Sequence, residues 1–426
     1  MSEPILTTTT LDAPLTSAGH VPINAVQKKS LLAACLGWLF DGLDMHLYAL
    51  VAQPFVALLM AKAVTDGDVA RKSSYIQAAF LVGWAIGGAV FGRLGDIIGR
   101  ARSLSLTILV YACFTGLAFF AHTWWELLIF RFIAALGIGG EWAVGSSLLA
   151  ETWPARWRPW LAAVLQTGVN IGVLLAVFTV WILTDTSKEW FRNVFLVGII
   201  PAVMVYWIRK NVPEPEQWTR AQSKEKPGIG ELFTGNTRRI TLLAIIVCAC
   251  SLTAWWAFMF WIIRFVRELP EIAQWSLGDR QRLSSVAFFL LVGVSIGGNF
   301  FGGWLAKLMG YRNAILAMLV GFFAAMVASF AVPRGHVSLM FCTSIVGFFS
   351  GVFGLFTMYL PPLFPTLLRT TGAGFSYNIG RIAAAAGTIF FGIYGHVDMR
   401  HALLVNSFLI VPAGIASLFL PNTHDV

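Results

Sequence analysis

The chain has 426 residues, of which 57% are hydrophobic and 12% are charged, and its mean hydropathy is +0.73. Soluble globular domains carry about 25% charged residues, so this composition excludes an ordinary soluble domain and predicts an integral membrane protein. The formal net charge of +9 at pH 7 is compatible with nucleic-acid binding, but few basic residues cluster outside the loops. We therefore assign the basic excess to membrane topology and expect no nucleic-acid partner.

Hydropathy along the chain predicts twelve spans, because a helix that crosses a bilayer needs about 20 apolar residues. The polar residues 1–29 form a cytoplasmic tail that we expect to be disordered over most of its length. The fold class is thus an all-α integral membrane protein with twelve transmembrane helices. The spans lie near 30–58, 75–92, 103–121, 126–149, 160–183, 191–208, 240–263, 284–304, 313–332, 337–360, 372–394 and 402–420.

An internal repeat divides the spans into two sets of six. GRLGDIIGRAR (92–102) and GGWLAKLMGYR (302–312) both stand between apolar runs, and GGAVFG and GGNFFG lead into them. Because the copies are about half a chain apart, they indicate a duplicated six-helix unit. The predicted organisation is two six-helix bundles, 30–208 and 240–420, a central cytoplasmic loop, 209–239, and a short cytoplasmic tail, 421–426.

The first copy of the repeat predicts a gating loop between spans two and three. Its glycines allow a tight turn and close helix approach, and Asp96 is placed to meet a helix N-terminus. In the second copy Lys307 stands where Asp96 does, so an interaction of Asp96 is expected to be absent or altered there. The candidate loop residues are Gly92, Asp96, Gly99 and Arg100.

Lysine and arginine are more frequent in the segments that face the cytoplasm when both termini are placed inside. We therefore expect a multi-pass protein of the bacterial inner membrane with cytoplasmic termini. The outer loop after span seven is unusually basic, which suits either attraction of an anionic substrate or solvation of a helix end; we prefer the second. Its basic residues are Arg264, Arg267, Arg280 and Arg282.

The five cysteines lie inside apolar runs and are interpreted as small core residues, not as disulfides or metal ligands. No phosphate-binding GxxxxGK[ST] loop and no HExxH pair occurs, so we expect neither an ATP-driven protein nor an enzyme. The expected cofactor set is empty, and a proton gradient is the expected energy source.

Charged side chains inside the spans are the first candidates for function, because an ionisable group in hydrocarbon costs several kcal/mol. Asp41 and Asp44 share one face of span one. Asp44 lies roughly 21 Å from the cytoplasmic edge and Arg131 roughly 8 Å from the outer edge of a core about 30 Å thick. At similar depth, the carboxylate pair is predicted to face Arg131. Adjacent carboxylates favour a bound proton and an arginine opposes it, which suits proton coupling; a permanent bridge that fixes packing is the alternative.

Span four continues as RFIAALGIGGEWAVG (131–145), whose glycines permit close contact with a partner helix. Glu141, in its cytoplasmic half, is compatible with a second proton site, an intracellular gate or a carboxylate bonded to a helix end. The proton-coupling candidates are therefore Asp41, Asp44, Arg131 and Glu141. His46 lies off the face of Asp41 and is interpreted as packing or pore lining.

A second set of polar residues predicts a substrate site. Arg381, within GFSYNIGRIAAAAG (374–387), falls close to the midplane of span eleven. An arginine grips a carboxylate with two hydrogen bonds, and amides and a phenol suit hydroxyl or carbonyl groups. The set thus favours a small organic anion. Its remaining members are Tyr377, Asn378, Gln166, Asn170 and the wall residues Trp255 and Trp256.

The stretch at 92–102 resembles the signature loop of the major facilitator superfamily. Five further stretches narrow the resemblance to its sialate:H+ and related carboxylate:H+ symporters, close to the aromatic-acid:H+ group. This resemblance implies symport of a monocarboxylate with a proton by alternating access, with the four coupling candidates as a network and Arg381 facing the cavity. The stretches are LGWLFDGLDMHLYAL (36–50), RFIAALGIGGEW (131–142), ETWP (151–154), VPEPEQW (212–218) and FPTLLRTTGAGFSYNIGRI (364–382).

The leading hypothesis is a monomeric secondary transporter in the lipid bilayer that carries a sialic, sugar, lactic or aromatic acid with H+. A neutral-sugar porter and an organic-anion exporter of the same fold are the transport alternatives. A transporter-like membrane sensor is the alternative from another class.

Overall fold

The structure is a computed structural model that describes residues 23–154, 157–184, 186–187, 189–214, 229–360, 363–364, 369–394 and 398–422. Over these residues the regular elements are helices, two of them short 3-10 turns at Ile229–Phe233 and Pro270–Ile272. The α-helices are α1 (Ala25–Met60), α2 (Gly67–Ile98), α3 (Arg100–Ala118), α4 (Trp124–Thr152), α5 (Arg158–Leu183), α6 (Trp190–Val197), α7 (Pro201–Asn211), α8 (Gly235–Arg267), α9 (Leu277–Met309), α10 (Tyr311–Phe330), α11 (His336–Phe349), α12 (Val352–Tyr359), α13 (Arg369–Tyr394), α14 (Met399–Ser407) and α15 (Ile410–Leu418).

The predicted all-α membrane fold is confirmed. Each of the twelve predicted spans falls on one helix or on two consecutive helices. Within the described residues, eleven helical stretches are long and apolar enough to cross a membrane, and the 26-residue α13 occupies the place of the twelfth. Helices suit this environment because they satisfy every interior backbone N–H and C=O without water.

Spans six, ten and twelve are broken into two helices each, which hydropathy did not predict. In span six, α7 begins with Pro201 in its first turn. Proline has no backbone N–H, which does no harm at the start of a helix, but it cannot donate the hydrogen bond that would continue α6 into α7. Ser350 and Gly351 separate α11 from α12, and Phe408 and Leu409 separate α14 from α15. Hydropathy does not detect these breaks, because each of the three spans is one continuous apolar run.

Several boundaries differ from the sequence prediction. The first helix begins at Ala25 because Asn24 and Gln27 form a capping box, in which each side chain bonds the other's backbone N–H. The second half begins at Gly235 of α8, inside the predicted central loop. Residues 1–22 of the expected tail and 215–228 of that loop lie outside the described residues.

The two halves pack in parallel ways. In the first half α4 packs on α2 and α3, and α1 on α5; in the second half α8 packs on α13, and α9 on α11. The halves meet along α2–α13 and α5–α9. Glycines bring paired backbones together: a Cβ on Gly87 would overlap the Leu136 carbonyl, and one on Gly298 would overlap that of Phe348.

The connection between spans two and three is a single residue. Helix α2 runs to Ile98 and α3 starts at Arg100, so Gly99 alone makes the turn, with φ +109°. The prediction of a loop was therefore wrong for Gly92 and Asp96, whose backbones are helical; the side chain of Asp96 is not described. Gly310, with φ +80°, repeats the turn between α9 and α10. Both positions need glycine because this region of φ penalises a Cβ.

Span six clamps span three at both ends. The Glu214 carboxylate, just beyond α7, accepts hydrogen bonds from the backbone N–H groups of Ala101 (3.2 Å) and Arg102 (3.1 Å) at the start of α3. At the other end, Arg192 Nη1 donates to the carbonyls of Phe119 (3.0 Å) and Ala121 (2.6 Å). A carboxylate at a helix N-terminus and a cation at its C-terminus both match the helix dipole. The anion at this N-terminus is Glu214, whereas the sequence pointed to Asp96.

Span twelve clamps span nine in the same manner. Asn422 Oδ1 accepts from the backbone N–H of Arg312 (3.2 Å), and Arg400 Nη1 donates to the carbonyls of Phe330 (2.9 Å) and Ala331 (3.1 Å). The duplication therefore extends to these tertiary contacts, with a neutral amide in the second half where the first has a carboxylate. We call the two ends of the bundle the Gly99 face and the Arg267 face after a residue on each.

Candidate functional site

The first buried charged cluster lies wholly within the first half. Arg131 of α4 donates from Nη1 to both carboxylate oxygens of Asp44 on α1, each at 3.1 Å, and from Nη2 to the Asp44 carbonyl at 3.1 Å. Thr115 of α3 also donates to Asp44 Oδ1. Both charged residues have 0% exposure, and the guanidinium lies 4.7 Å from the Phe80 ring centre. The predicted contact between Asp44 and Arg131 is confirmed.

Asp41 does not share this arginine, so the predicted pair facing Arg131 was wrong in that respect. Its carboxyl group lies beside that of Glu141 on α4, and Arg381 is near enough to attract it. Gly37 makes room for this contact, because a Cβ there would overlap the Glu141 carboxylate. Positions three apart on a helix differ by about 60° around its axis, so Asp41 and Asp44 meet different neighbours.

Arg381 forms the centre of the second cluster. Its Nη1 donates to Asn378 Oδ1 at 2.6 Å, and its guanidinium carbon lies 4.0 Å from the Trp84 ring centre, 4.7 Å from Tyr377 and 5.5 Å from Trp142. Such aromatic faces stabilise a desolvated cation. The predicted grouping of Arg381 with Tyr377 and Asn378 on one face of the helix is confirmed.

This second cluster joins the two halves. Trp142 of α4 stacks on Tyr377 of α13 with centroids 5.2 Å apart and an interplanar angle of 7°. Gly88 of α2 allows Asn378 to approach its backbone, since a Cβ there would lie 2.8 Å from Nδ2. Any rocking of one half against the other must therefore change the surroundings of Arg381.

Three other predicted members of the substrate set contact residues other than Arg381. Asn170 Nδ2 donates to Ser295 Oγ at 2.8 Å across the α5–α9 contact, and Gln166 lies against Gly354. Trp255 packs within the second half on aromatic rings, including Phe353 at 5.5 Å. Depth along a span placed them near Arg381, but depth says nothing about the direction in which a residue faces.

The sequence prediction missed two aromatic residues that reach the site, Trp84 and Trp142. Trp84 contacts Arg381 directly, and the predicted wall residue Trp256 meets Trp84 edge-on at 5.4 Å. Trp256 also stacks on His46 at 6.2 Å. The chain has 17 tryptophans, and only sequence position could have singled out these two. Trp142 directly follows Glu141, and Trp84 lies one turn before Gly87 and Gly88.

The carboxyl groups of the two clusters differ in their hydrogen bonds. Within the described part of the chain, both Glu141 oxygens and Asp41 Oδ1 are buried without a hydrogen-bond partner, whereas both Asp44 oxygens are bonded. Arg131 Nε in the first cluster, and Arg381 Nε and Trp84 Nε1 in the second, are buried donors without a partner. Two carboxyl groups in contact can bond to each other only when a proton lies between them. The second cluster thus offers a place for a proton and two unused donors, Arg381 and Trp84, that suit an anion. No group of three or more potential metal ligands occurs among the described residues.

A duplicated helical bundle with a polar centre between its halves is the architecture of a membrane transporter. The chain belongs to the Major Facilitator Superfamily, whose profile matches residues 35–388. It is accordingly a multi-pass membrane transporter and not an enzyme.

Two relatives and one solved structure show how far the similarity extends. The chain is 27% identical to the sialic acid transporter NanX of Escherichia coli K12, covering 97% of both chains. It is 30% identical to a probable 4-methylmuconolactone transporter of Cupriavidus pinatubonensis, covering 94% of this chain and 92% of that one. Its fold matches the E. coli xylose transporter XylE in a partially occluded inward-open conformation with a TM-score of 0.72 at 16% identity, covering 94% and 99%.

Proposed function

We propose that the protein is a proton-coupled symporter of a small organic anion that works by alternating access. The observation that carries this proposal is the cation at the interface: Arg381 is 2% exposed, has an unused buried donor and lies beside a pair of carboxyl groups. A carboxylate on the substrate would complete the hydrogen bonding of Arg381. The names of the relatives, which refer to sialic acid and to 4-methylmuconolactone, support a small organic molecule.

The coupling role belongs to the two acidic centres. Asp41 and Glu141 can hold one proton between them, and its loss leaves a negative charge that competes with the substrate for Arg381. Asp44 can take a proton only if its contacts with Arg131 are given up. In this proposal the proton therefore favours anion binding by releasing Arg381 from Asp41. The Gly99 face is the cytoplasmic one, and the protein acts as a monomer in the inner membrane.

Uptake into proteoliposomes tests the proposal. A panel of sialate, gluconate, lactate and benzoate is offered with an inward proton gradient, with and without a protonophore. We expect gradient-dependent accumulation of one acid, reduced about 10- to 100-fold in Arg381→Ala because a charge-assisted hydrogen bond is lost. Arg381→Lys, which keeps the charge without the planar fork, is expected to fall between.

Three results would contradict the proposal. Accumulation that ignores the gradient would remove proton coupling. Full activity in Arg381→Ala would move the anion site elsewhere. Uptake of neutral xylose instead of any acid would favour the neutral-sugar alternative.

A further inference from the structure

The Arg267 face is closed by a polar contact between the halves. Arg267, at the end of α8, donates from Nη2 to Gln53 Oε1 on α1 and from Nη1 to Gln281 Oε1 on α9, the latter at 2.8 Å. Gln281 Nε2 in turn donates to the carbonyl of Leu50 at 3.5 Å. We call Gln53, Arg267 and Gln281 the glutamine latch. Two of its members belong to the second half and one to the first, so the latch must break when the halves separate on this side.

The acceptors of the latch are neutral although its donor is a cation. Gln53 and Gln281 supply amide oxygens, and the nearby acid Glu268 is held by Arg264, with Nε–Oε1 at 2.7 Å. Glu268 also attracts Arg267, while the like charges of Arg264 and Arg280 repel it. The two neighbouring cations outnumber this one acid, and the Arg267 guanidinium has no carboxylate hydrogen-bonded to it among the described residues.

One unused donor lies beside the latch. Arg280 Nε is buried without a hydrogen-bond partner in the described part of the chain. Buried donors in proteins are nearly always bonded, so an acceptor is expected to visit this cluster. A carboxylate suits the fork of a guanidinium, because it can accept two parallel N–H···O bonds and carries the opposite charge.

Aromatic residues lie between the latch and the central site along α1 and α8. His46, two turns before Gln53 on α1, packs on Trp256 and Phe288 of the second half, with ring centroids 6.2 and 5.6 Å apart. Trp256 then meets Trp84, which lies on Arg381. A solute moving from this face to Arg381 along the interface therefore passes the latch first.

We infer that the glutamine latch is an anion-responsive gate. The carboxylate of an arriving organic anion replaces the Gln53 amide on Arg267 and so releases the first half from the second. A ligand shifts a conformational equilibrium only through different affinities for its two states. In the closed state Gln53 occupies part of the guanidinium fork of Arg267, and in the open state it does not. A carboxylate therefore binds Arg267 more tightly in the open state and favours opening. The inference rests on the proposed function in taking the cargo to be an organic anion.

The distance between spin labels across the latch tests this inference. Labels at Ala63→Cys and Gln274→Cys, both at exposed positions, are introduced into a full chain whose native cysteines are replaced by alanine. The protein is placed in nanodiscs of phosphatidylcholine, a lipid without net charge, and no proton gradient is applied. Any response then comes from the solute that is added. Benzoate and lactate are the probes; benzamide and chloride are the neutral and inorganic controls.

In the wild type, benzoate or lactate is expected to shift the distance distribution to longer values, and benzamide and chloride are not. Arg267→Gln is expected to lose this response. Gln53→Glu is expected to lose it as well, but with the short distance retained, because a carboxylate now occupies the fork. Arg71→Gln removes the same charge from an exposed position on the same face and is expected to respond as the wild type does.

The inference is overturned if neither carboxylate lengthens the distance in the wild type, if benzamide does so equally, or if Arg267→Gln still responds. Should Arg267→Gln fail to fold, a response of Gln53→Glu equal to that of the wild type overturns it. The proposed function can fail separately from the gate. Uptake that ignores the proton gradient, together with an intact latch response, would contradict proton coupling and support the gate. Uptake driven by the gradient, together with no latch response, would support coupling and contradict the gate.

Discussion

The two buried charge clusters of this transporter use the same residue types in opposite ways. Around Asp44 and Arg131, both carboxylate oxygens are bonded and all partners belong to the first half. Around Asp41, Glu141 and Arg381, buried oxygens and nitrogens remain unused and the partners come from both halves. Each arginine has a buried Nε without a partner, so the two clusters differ in their carboxyl groups. A carboxylate whose two oxygens are bonded within one half fixes a structure, while unbonded carboxyl groups at an interface can respond to a proton or a ligand. The bonding of the carboxyl groups and their location, more than depth, separate the two clusters.

The largest expected effect comes from breaking the Asp44–Arg131 ion pair. Arg131→Leu leaves the Asp44 carboxylate buried without its cation, which costs roughly 3–5 kcal/mol. Thermal unfolding in detergent, followed by tryptophan fluorescence, should show a marked loss of stability. The double variant Arg131→Leu/Asp44→Leu should recover most of it, because an apolar pair removes the unpaired charge. Equal instability of the single and double variants would show that the ion pair is not the cause.

Asp41→Asn tests the second cluster. Since Asp41 has no cation hydrogen-bonded to it among the described residues, we expect near-normal stability but loss of gradient-driven accumulation, with exchange of labelled substrate at equal pH retained. Asp44→Asn is the comparison and should lose stability as well as accumulation. If Asp41→Asn still accumulates substrate against its gradient, the proton does not travel on the Asp41–Glu141 pair.

A smaller effect is expected where α1 touches Glu141. Gly37→Ala places a methyl group on the Glu141 carboxylate and should cost about 1–3 kcal/mol through overpacking. Gly145→Ala on α4 is the matched control, because its nearest neighbour, Trp38 Nε1, would be 3.4 Å away, an ordinary contact. Unfolding temperatures of the two variants give the comparison, and equal values would mean that the contact between α1 and Glu141 is loose.

The smallest expected effect concerns the charged and neutral caps of the Gly99 face. Glu214→Ala should cost about 1 kcal/mol, as other N-terminal helix caps do, and part of the loss should disappear in high salt because charge–dipole attraction is screened. Asn422→Ala should show a loss that salt leaves unchanged. The same salt dependence in both variants would contradict a role for the Glu214 charge.

Much of the fold could be predicted from sequence because apolar length and the repeated Gly-rich segment are one-dimensional signals. The depth estimate placed Asp44 opposite Arg131 correctly for the same reason. What failed required knowledge of rotation about helix axes: Asp41 turned toward Glu141, and Trp256 reached the interface while its neighbour Trp255 did not. A change of one residue rotates a side chain by about 100°, which hydropathy does not resolve in a span that is apolar all round.

The paired clamps have a consequence for how the chain can be divided. Arg192 and Glu214 hold α3 from inside the first half, and Arg400 and Asn422 hold α10 from inside the second. Each half thus contains the hydrogen bonds that hold its own helices together. The contacts across the interface are those that a transport cycle makes and breaks. Two polypeptides, ending and beginning within 215–228, should therefore be able to fold when co-expressed and reassemble in the membrane as a working split transporter.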